Sequence, residues 1–371
     1  MRQLVLLSLA CLVRLCAAEL DCVSCHDEKA GPFQASVHAT LKCTGCHSDI
    51  TAFPHPENSG KVNCGTCHAD NAADVAASVH AKAGVPQACI GCHGEPHGIL
   101  TSKDAASSTY ATNLPRTCGT CHSKSFPDQR GKQIYAQYLD SIHGMAVTKQ
   151  GLLVAANCSS CHGTHKILAS RDPQSRTNHA NIPSTCGACH QGPLTAYRSG
   201  IHGQKVAAGN TRAPVCSDCH TAHQIARVET AEWQMKTTAT CGRCHVQQLR
   251  TYHDTFHAQV SALGYVDTAH CWDCHGFHDI LPASNPKSTV ARANLITTCG
   301  KCHSGANRGF VTYEPHADRH NAQAYPLLHF ASVFMNLLLS GVLGLFVLHT
   351  ILWLIRSTAE HRAARAERIN P

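Results

Sequence analysis

Aromatic side chains make up only 5% of the 371 residues, and methionine occurs four times. With so few large apolar groups and so much Gly, Ala, Ser, Thr and Asn, side chains alone would build a poor core across residues 19–325. The formal charge of +7 invites a nucleic-acid reading. No stretch gathers Lys and Arg onto a face with interleaved aromatics, however, so nucleic acid is excluded as a partner. Long apolar runs are nearly absent as well. The one able to span a bilayer is Phe330 to Ile355, which holds no Asp, Glu, Lys or Arg.

What the chain does have is cysteine in a single pattern. Of 24 cysteines, 22 stand in eleven Cys-x-x-Cys-His stretches. The pairs are Cys22 and Cys25, Cys43 and Cys46, Cys64 and Cys67, Cys89 and Cys92, Cys118 and Cys121, Cys158 and Cys161, Cys186 and Cys189, Cys216 and Cys219, Cys241 and Cys244, Cys271 and Cys274, and Cys299 and Cys302. The histidines that follow are His26, His47, His68, His93, His122, His162, His190, His220, His245, His275 and His303. Zinc sites and disulfides also use cysteines two apart. Neither explains a histidine after every second cysteine, and eleven pairs do not divide into four-cysteine sites. Cys-x-x-Cys-His is the attachment signature of c-type haem, with thioethers from the two thiols and one axial imidazole from the histidine. Eleven covalent haems would then supply most of the buried apolar surface, and their propionates would make the loaded protein acidic despite its sequence charge.

The motifs alternate in two forms. The first is mostly Cys-Gly-x-Cys-His, opening at Cys22 (a variant), Cys64, Cys118, Cys186, Cys241 and Cys299. Each copy is followed by an isolated histidine: His38, His80, His143, His202, His257 and His316. Four of these stand 12 residues after the motif histidine, and the others stand 21 and 13 after it. The longer spacing contains an insertion near residues 124–133; in the last copy His320 is an equal candidate. The second form opens at Cys43, Cys89, Cys158, Cys216 and Cys271, and a trailing histidine soon follows: His55, His97, His165, His223 and His278. Recurring approaches such as Asn113-Leu114-Pro115-Arg116-Thr117 and Asn181-Ile182-Pro183-Ser184-Thr185 lead back to the first form. The repeat is therefore two motifs long.

Eleven motif histidines are thus matched by eleven candidate distal ligands, with His55 and His316 the most divergent in spacing. His179, His253, His270 and His361 fall outside the register. Methionine, the usual rival ligand, is limited in this region to Met145 and Met235, so bis-histidine iron is expected throughout. A histidine three residues after a motif histidine cannot easily reach the opposite face of the same porphyrin, so the trailing set is expected to serve neighbouring haems. The isolated set is open either way. The expected fold is mainly α with extensive irregular loops: a haem-cored repeat with sparse secondary structure, plus one C-terminal transmembrane helix. Helices are expected at residues 71–80, 132–142 and 192–202, with loops elsewhere.

The ends suggest a location. Residues 1–18, with the apolar run Leu4 to Val13 and small residues near Ala18, read as a secretory signal peptide containing the two remaining cysteines, Cys11 and Cys16. Residues 326–356 read as the anchor, and the Arg-rich tail, residues 357–371, implies a cytoplasmic C-terminus with residues 19–325 outside. His329 and His349 bracket the span and are open to b-type haem or quinone contact, or to ordinary interfacial hydrogen bonding. Gly341 and Gly344 suit packing against another membrane subunit.

From Cys22 to about His320 the chain resembles the multihaem c-type cytochromes, specifically the bis-histidine periplasmic electron carriers with doubled motifs. The resemblance implies a periplasmic domain on the inner membrane. It implies an electron carrier with no catalytic residues, working between a quinol-oxidising membrane partner such as a cytochrome b and periplasmic or extracellular redox acceptors. The C-terminal placing of the anchor departs from the quinol-dehydrogenase members, which carry theirs at the N-terminus. The alternative is a reductase of nitrite, hydroxylamine or a sulfur oxyanion. That would need one iron with an open position, and none of the eleven motifs ends in Lys.

Overall fold

The computed structural model describes residues 21–57, 60–82, 88–124 and 130–369. The expected signal peptide, with Cys11 and Cys16, lies outside them, as does part of the 124–133 insertion. Among the described residues the regular structure is helical, with no strand, in agreement with the mainly α expectation. The chain forms two compact units, Met1–Arg227 and Val228–Pro371.

Helices are more frequent than the punctuation by Gly and Pro suggested. Most motifs lie on a helical turn of their own, for example Cys158–His162, Cys216–His220 and Cys271–His275, or end a longer helix, as in Leu114–His122 and Ala231–Gly242. The expected single helices before the isolated histidines are each broken in two. Ala69–Ala77 is followed by Val79–Lys82, Arg130–Asp140 by Ile142–Thr148, and Gln191–Ser199 by Ile201–Ala207. The break falls on Ser78, Ser141 or Gly200, each in extended backbone (ψ 166°, 160° and 163°). A serine there ends one helix and caps the next. Ser141 Oγ accepts from the Gly144 N–H at 3.0 Å while donating to the Tyr138 carbonyl at 2.6 Å.

The core is small and polar. Buried apolar side chains among the described residues are Val147, Ala213, Val215, Tyr252, Ala258 and Ala291, whereas thirteen buried side chains are polar or charged. Hydrogen-bonded loops do the work that apolar packing does elsewhere, and they repeat. Asn113 Nδ2 donates to the carbonyls of Ala105 and Ser107, Asn181 Nδ2 to those of Pro173 and Ser175, and Asn294 Nδ2 to those of Pro286 and Ser288, all at 2.8–2.9 Å. The threonine before each following cysteine, Thr117, Thr185 or Thr298, donates to the carbonyl nine residues back at 2.6 Å. The recurring Asn-x-x-x-Thr-Cys approach is therefore a loop clamp that fixes where the first-form motifs at Cys118, Cys186 and Cys299 begin.

The second unit ends in the helix Pro326–Ile369, 44 residues with large apolar side chains exposed from Leu327 to Ile355. It is long and apolar enough to cross a membrane. At about 1.5 Å per residue it is about 66 Å long, roughly twice a hydrocarbon core of about 30 Å. It continues unbroken through the region read as a separate tail, where Arg356 Nε pairs with Glu360 Oε1 at 2.8 Å.

Candidate iron-ligand pairs

Each motif class is shaped by one kind of glycine. In the first-form motifs at Cys186 and Cys241, the glycine after the leading cysteine is where the next helix lies against the motif. A Cβ on Gly187 would come within 2.2 Å of Leu194 Cδ2, and one on Gly242 within 2.2 Å of Leu249 Cδ2. In four of the five second-form copies, the residue after the motif histidine is left-handed. Gly94, Gly163 and Gly276 have φ 86°, 85° and 82°, and Thr221 occupies the same position at φ 65°. That turn stops the short helix and sends the trailing histidine away from its own motif.

A tyrosine five residues before the isolated histidine sets the start of the next second-form motif. Tyr138, Tyr197 and Tyr252 donate their hydroxyls to the carbonyls of Ala156, Pro214 and Ala269 at 3.0, 2.8 and 3.0 Å. Each acceptor lies two residues before a leading cysteine. Burial pushes the Tyr197 and Tyr252 phenols up to about 12, so they stay protonated donors. Sequence reading missed this ruler, although the constant tyrosine-to-histidine spacing was visible in three copies.

The motif histidines then meet the candidate distal histidines in pairs. His26 faces His55, His47 faces His97, His93 faces His165, and His162 faces His223, all with ring centroids 6.1 Å apart. His38 meets His68 at 6.1 Å, His80 meets His122 at 6.3 Å, and His143 meets His190 at 6.0 Å. In the second unit His257 meets His303 at 6.0 Å and His275 meets His316 at 6.3 Å. The two most divergent candidates, His55 and His316, are both among these pairs; it is His316, not His320, that stands with His275. Of the remaining candidates, His202 and His220 lie in the first unit and His245 and His278 in the second, each with interactions of its own.

The pairs follow a rule. A trailing histidine joins the second-form motif one repeat earlier, as His97 joins His47 and His165 joins His93; His55, with no earlier second form, joins His26. An isolated histidine joins the first-form motif one repeat later, as His80 joins His122; His316, with no later first form, joins the second-form His275 one repeat earlier. Eight of the nine described pairs cross between copies, and His26 with His55 lies within the first. One backbone hydrogen bond ties the two kinds together. The N–H of the residue before an isolated histidine donates to the isoleucine two residues after a trailing one: Val37 to Ile99, Val79 to Ile167 and Ile142 to Ile225, at 2.9, 2.8 and 2.9 Å.

Motifs also adjoin one another through their cysteines. Leading cysteines are hydrogen-bonded in the pairs Cys22 with Cys43, Cys64 with Cys89, Cys118 with Cys158, Cys186 with Cys216, and Cys241 with Cys271. Cys92 lies near Cys118 and Cys121, Cys161 near Cys186 and Cys189, and Cys274 near Cys299 and Cys302. From Cys64 to Cys219 in the first unit, and from Cys241 to Cys302 in the second, consecutive motifs are therefore neighbours in space.

The pair spacing bears on what fits between the rings. With metal–nitrogen distances of about 2.0 Å and a nitrogen about 1.1 Å from the ring centre, two imidazoles in line on one metal have centroids about 6.2 Å apart. The nine pairs span 6.0–6.3 Å. Burial, reinforced in most cases by the partner imidazole, lowers the pKa of His80, His93, His143, His162, His257 and His275, which keeps their lone pairs available. No group of three or more His, Cys, Asp or Glu that could hold a metal ion occurs among the described residues. Two imidazoles complete a coordination sphere when a planar macrocycle supplies the other four positions, and the pairs fit that demand.

The histidines outside the register do other work. His270 is buried, stacks on Trp272 at 4.5 Å and donates its backbone N–H to Asp273, capping the motif helix. His179 lies 3.6 Å from Asp218. At the membrane end, His329 Nδ1 donates to the Arg319 carbonyl at 2.9 Å and Tyr325 donates to Glu314 at 2.8 Å, which ties the long helix to the segment bearing His316. His316 is itself held by Thr251 Oγ1 at 3.0 Å from its Nδ1, and Asp318 bonds Arg250 and Gln247.

No sequence profile of a known protein family matches the chain, and no solved structure matches it. The site's own geometry therefore has to support its assignment.

Proposed function

We propose that the chain is a membrane-anchored c-type cytochrome with eleven haems, which relays electrons between a quinol-oxidising membrane partner and periplasmic or extracellular acceptors. The observation that carries this reading is the set of nine histidine pairs at the separation two axial imidazoles require, each beside a Cys-x-x-Cys stretch. In each pair the motif histidine would be the proximal ligand and its partner the distal one; His202 and His278 stand at equivalent register positions in the sequence. Bound haem supplies a one-electron couple, held at low potential by two imidazoles and by its surroundings.

The protein's own part is positional. The second-form turn at Gly94, Gly163, Thr221 and Gly276 sends a distal ligand to another copy, the tyrosines space the motifs, and the clamps fix their starts. Neighbouring motifs form continuous runs within each unit, an arrangement suited to passing charge from site to site. Single-pass anchoring through Pro326–Ile369, with an Arg-rich C-terminal side, favours the cytoplasmic membrane with residues 19–325 in the periplasm. The motif opening at Cys299 is nearest the anchor in sequence and would be the membrane end.

A reductase would need one iron with a free position. Nine motif histidines already have a facing imidazole, which favours the carrier. Carbon monoxide added to the reduced, native protein tests this: an unchanged spectrum is expected, and stoichiometric carbon monoxide binding at any iron would overturn the carrier reading.

A further inference from the structure

We infer that the distal histidines create two classes of iron site, one with nearly parallel imidazole planes and one with more crossed planes, which alternate from the motif opening at Cys43 to that opening at Cys186. The inference rests on the haem reading and adds to it a property of each site. Pairs made by His55, His97, His165, His223 and His316 have interplanar angles of 22°, 12°, 14°, 6° and 33°. Pairs made by His38, His80, His143 and His257 have angles of 63°, 61°, 40° and 50°. The two sets do not overlap.

Their origin is local. Each histidine of the crossed set stands two residues after a buried serine or threonine, Ser36, Ser78, Ser141 or Thr255, which donates to the carbonyl three residues back at 2.6–2.8 Å. No member of the parallel set has such a cap. The capped segment fixes the backbone from which the ring projects, and the Val37, Val79 and Ile142 N–H bridges tie it to the neighbouring trailing segment. Each bridge therefore joins one crossed site to one parallel site: the His68 site to the His47 site, the His122 site to the His93 site, and the His190 site to the His162 site.

Ligand planes matter because each imidazole donates π density into the iron d orbital perpendicular to its own plane. Parallel planes raise one orbital of the dxz, dyz pair above the other. Low-spin ferric iron, with one hole in that set, is stabilised by the splitting, whereas ferrous iron, with the set filled, gains nothing. Crossed planes treat the two orbitals alike. Crossed sites should therefore be the easier to reduce and should keep a large orbital moment, so easier and harder sites would alternate from the Cys43 motif to the Cys186 motif.

Electron paramagnetic resonance of the fully oxidised holoprotein reads the two classes directly, with covalent haem content measured first by pyridine haemochrome. The expected result is a well-resolved rhombic low-spin set together with a broad signal of much larger maximum g value. His165→Gly should diminish the rhombic set and His80→Gly the large-g signal, each adding high-spin iron. A loaded protein showing one class alone would overturn the inference, as would the two variants losing the opposite signals, and either result would leave the carrier reading intact. Absence of covalent haem would overturn both. If a variant fails to assemble, the wild-type spectrum and a potentiometric titration of its two signals still decide, with the large-g signal expected to disappear first on reduction.

Discussion

The two motif segments use glycine for opposite purposes. In the first form the glycine lies inside the motif and makes room for Leu194 or Leu249, so the following helix can lie against the Cys-x-x-Cys turn. In the second form the glycine follows the motif and supplies a left-handed backbone that ends the helix. One demand is for space and the other for conformation. The difference explains why the isolated histidines are carried forward to a later copy and the trailing ones back to an earlier one.

Substitutions can break the contrast, and the largest effect is expected where space is the demand. Gly187→Ala puts a Cβ 3.0 Å from Leu194 Cβ and 2.2 Å from its Cδ2, and should cost about 1–3 kcal/mol by overpacking. It should appear as a lower thermal midpoint. Gly163→Ala meets only open contacts, the nearest at 3.7 Å, so its cost should be the strain of a positive-φ, extended backbone alone (φ 85°, ψ −178°), about 1–3 kcal/mol. Exchanging the outcomes, with Gly163 sensitive to side-chain size and Gly187 insensitive to it, would contradict the division.

Two smaller effects sharpen it. Tyr197→Phe removes the hydroxyl that holds the Pro214 carbonyl and should cost about 1 kcal/mol, read as a lower denaturant midpoint. Thr221 already occupies the left-handed position and offsets part of its strain through a hydrogen bond from Oγ1 to the Gln224 carbonyl at 2.7 Å. Thr221→Gly relieves the strain, loses that bond and adds unfolded-state freedom, so stability should stay within about 0.5 kcal/mol of the parent.

Much of this was legible before any coordinates. The eleven motifs, their two forms, the eleven partner histidines and the C-terminal span are all periodic or compositional features, which is where sequence reading is strongest. The proximity argument expected His165 and His223 to serve a neighbouring site, and the structure sets them beside His93 and His162 of an earlier copy. What stayed hidden depends on long-range contact. Nothing local says that His80 meets His122 and not His68, because that choice follows from the Val79–Ile167 bridge, 88 residues apart in sequence. The glycines were visible as motif letters, but their reasons, Leu194 against Gly187 and the turn at Gly163, lie in packing and dihedral angle. The helical content was underestimated because Gly and Pro were read as breakers everywhere. Several cap or start helices instead, as Pro115 and Pro183 do in the first turn.

The central claim is that every Cys-x-x-Cys-His stretch holds a covalent porphyrin between two imidazoles. It is tested most directly by intact mass of the mature, membrane-extracted polypeptide together with its pyridine haemochrome absorbance. The account expects eleven haems per chain, one for each motif in the sequence. A polypeptide of unmodified mass, or one carrying substantially fewer haems when fully matured, would contradict it.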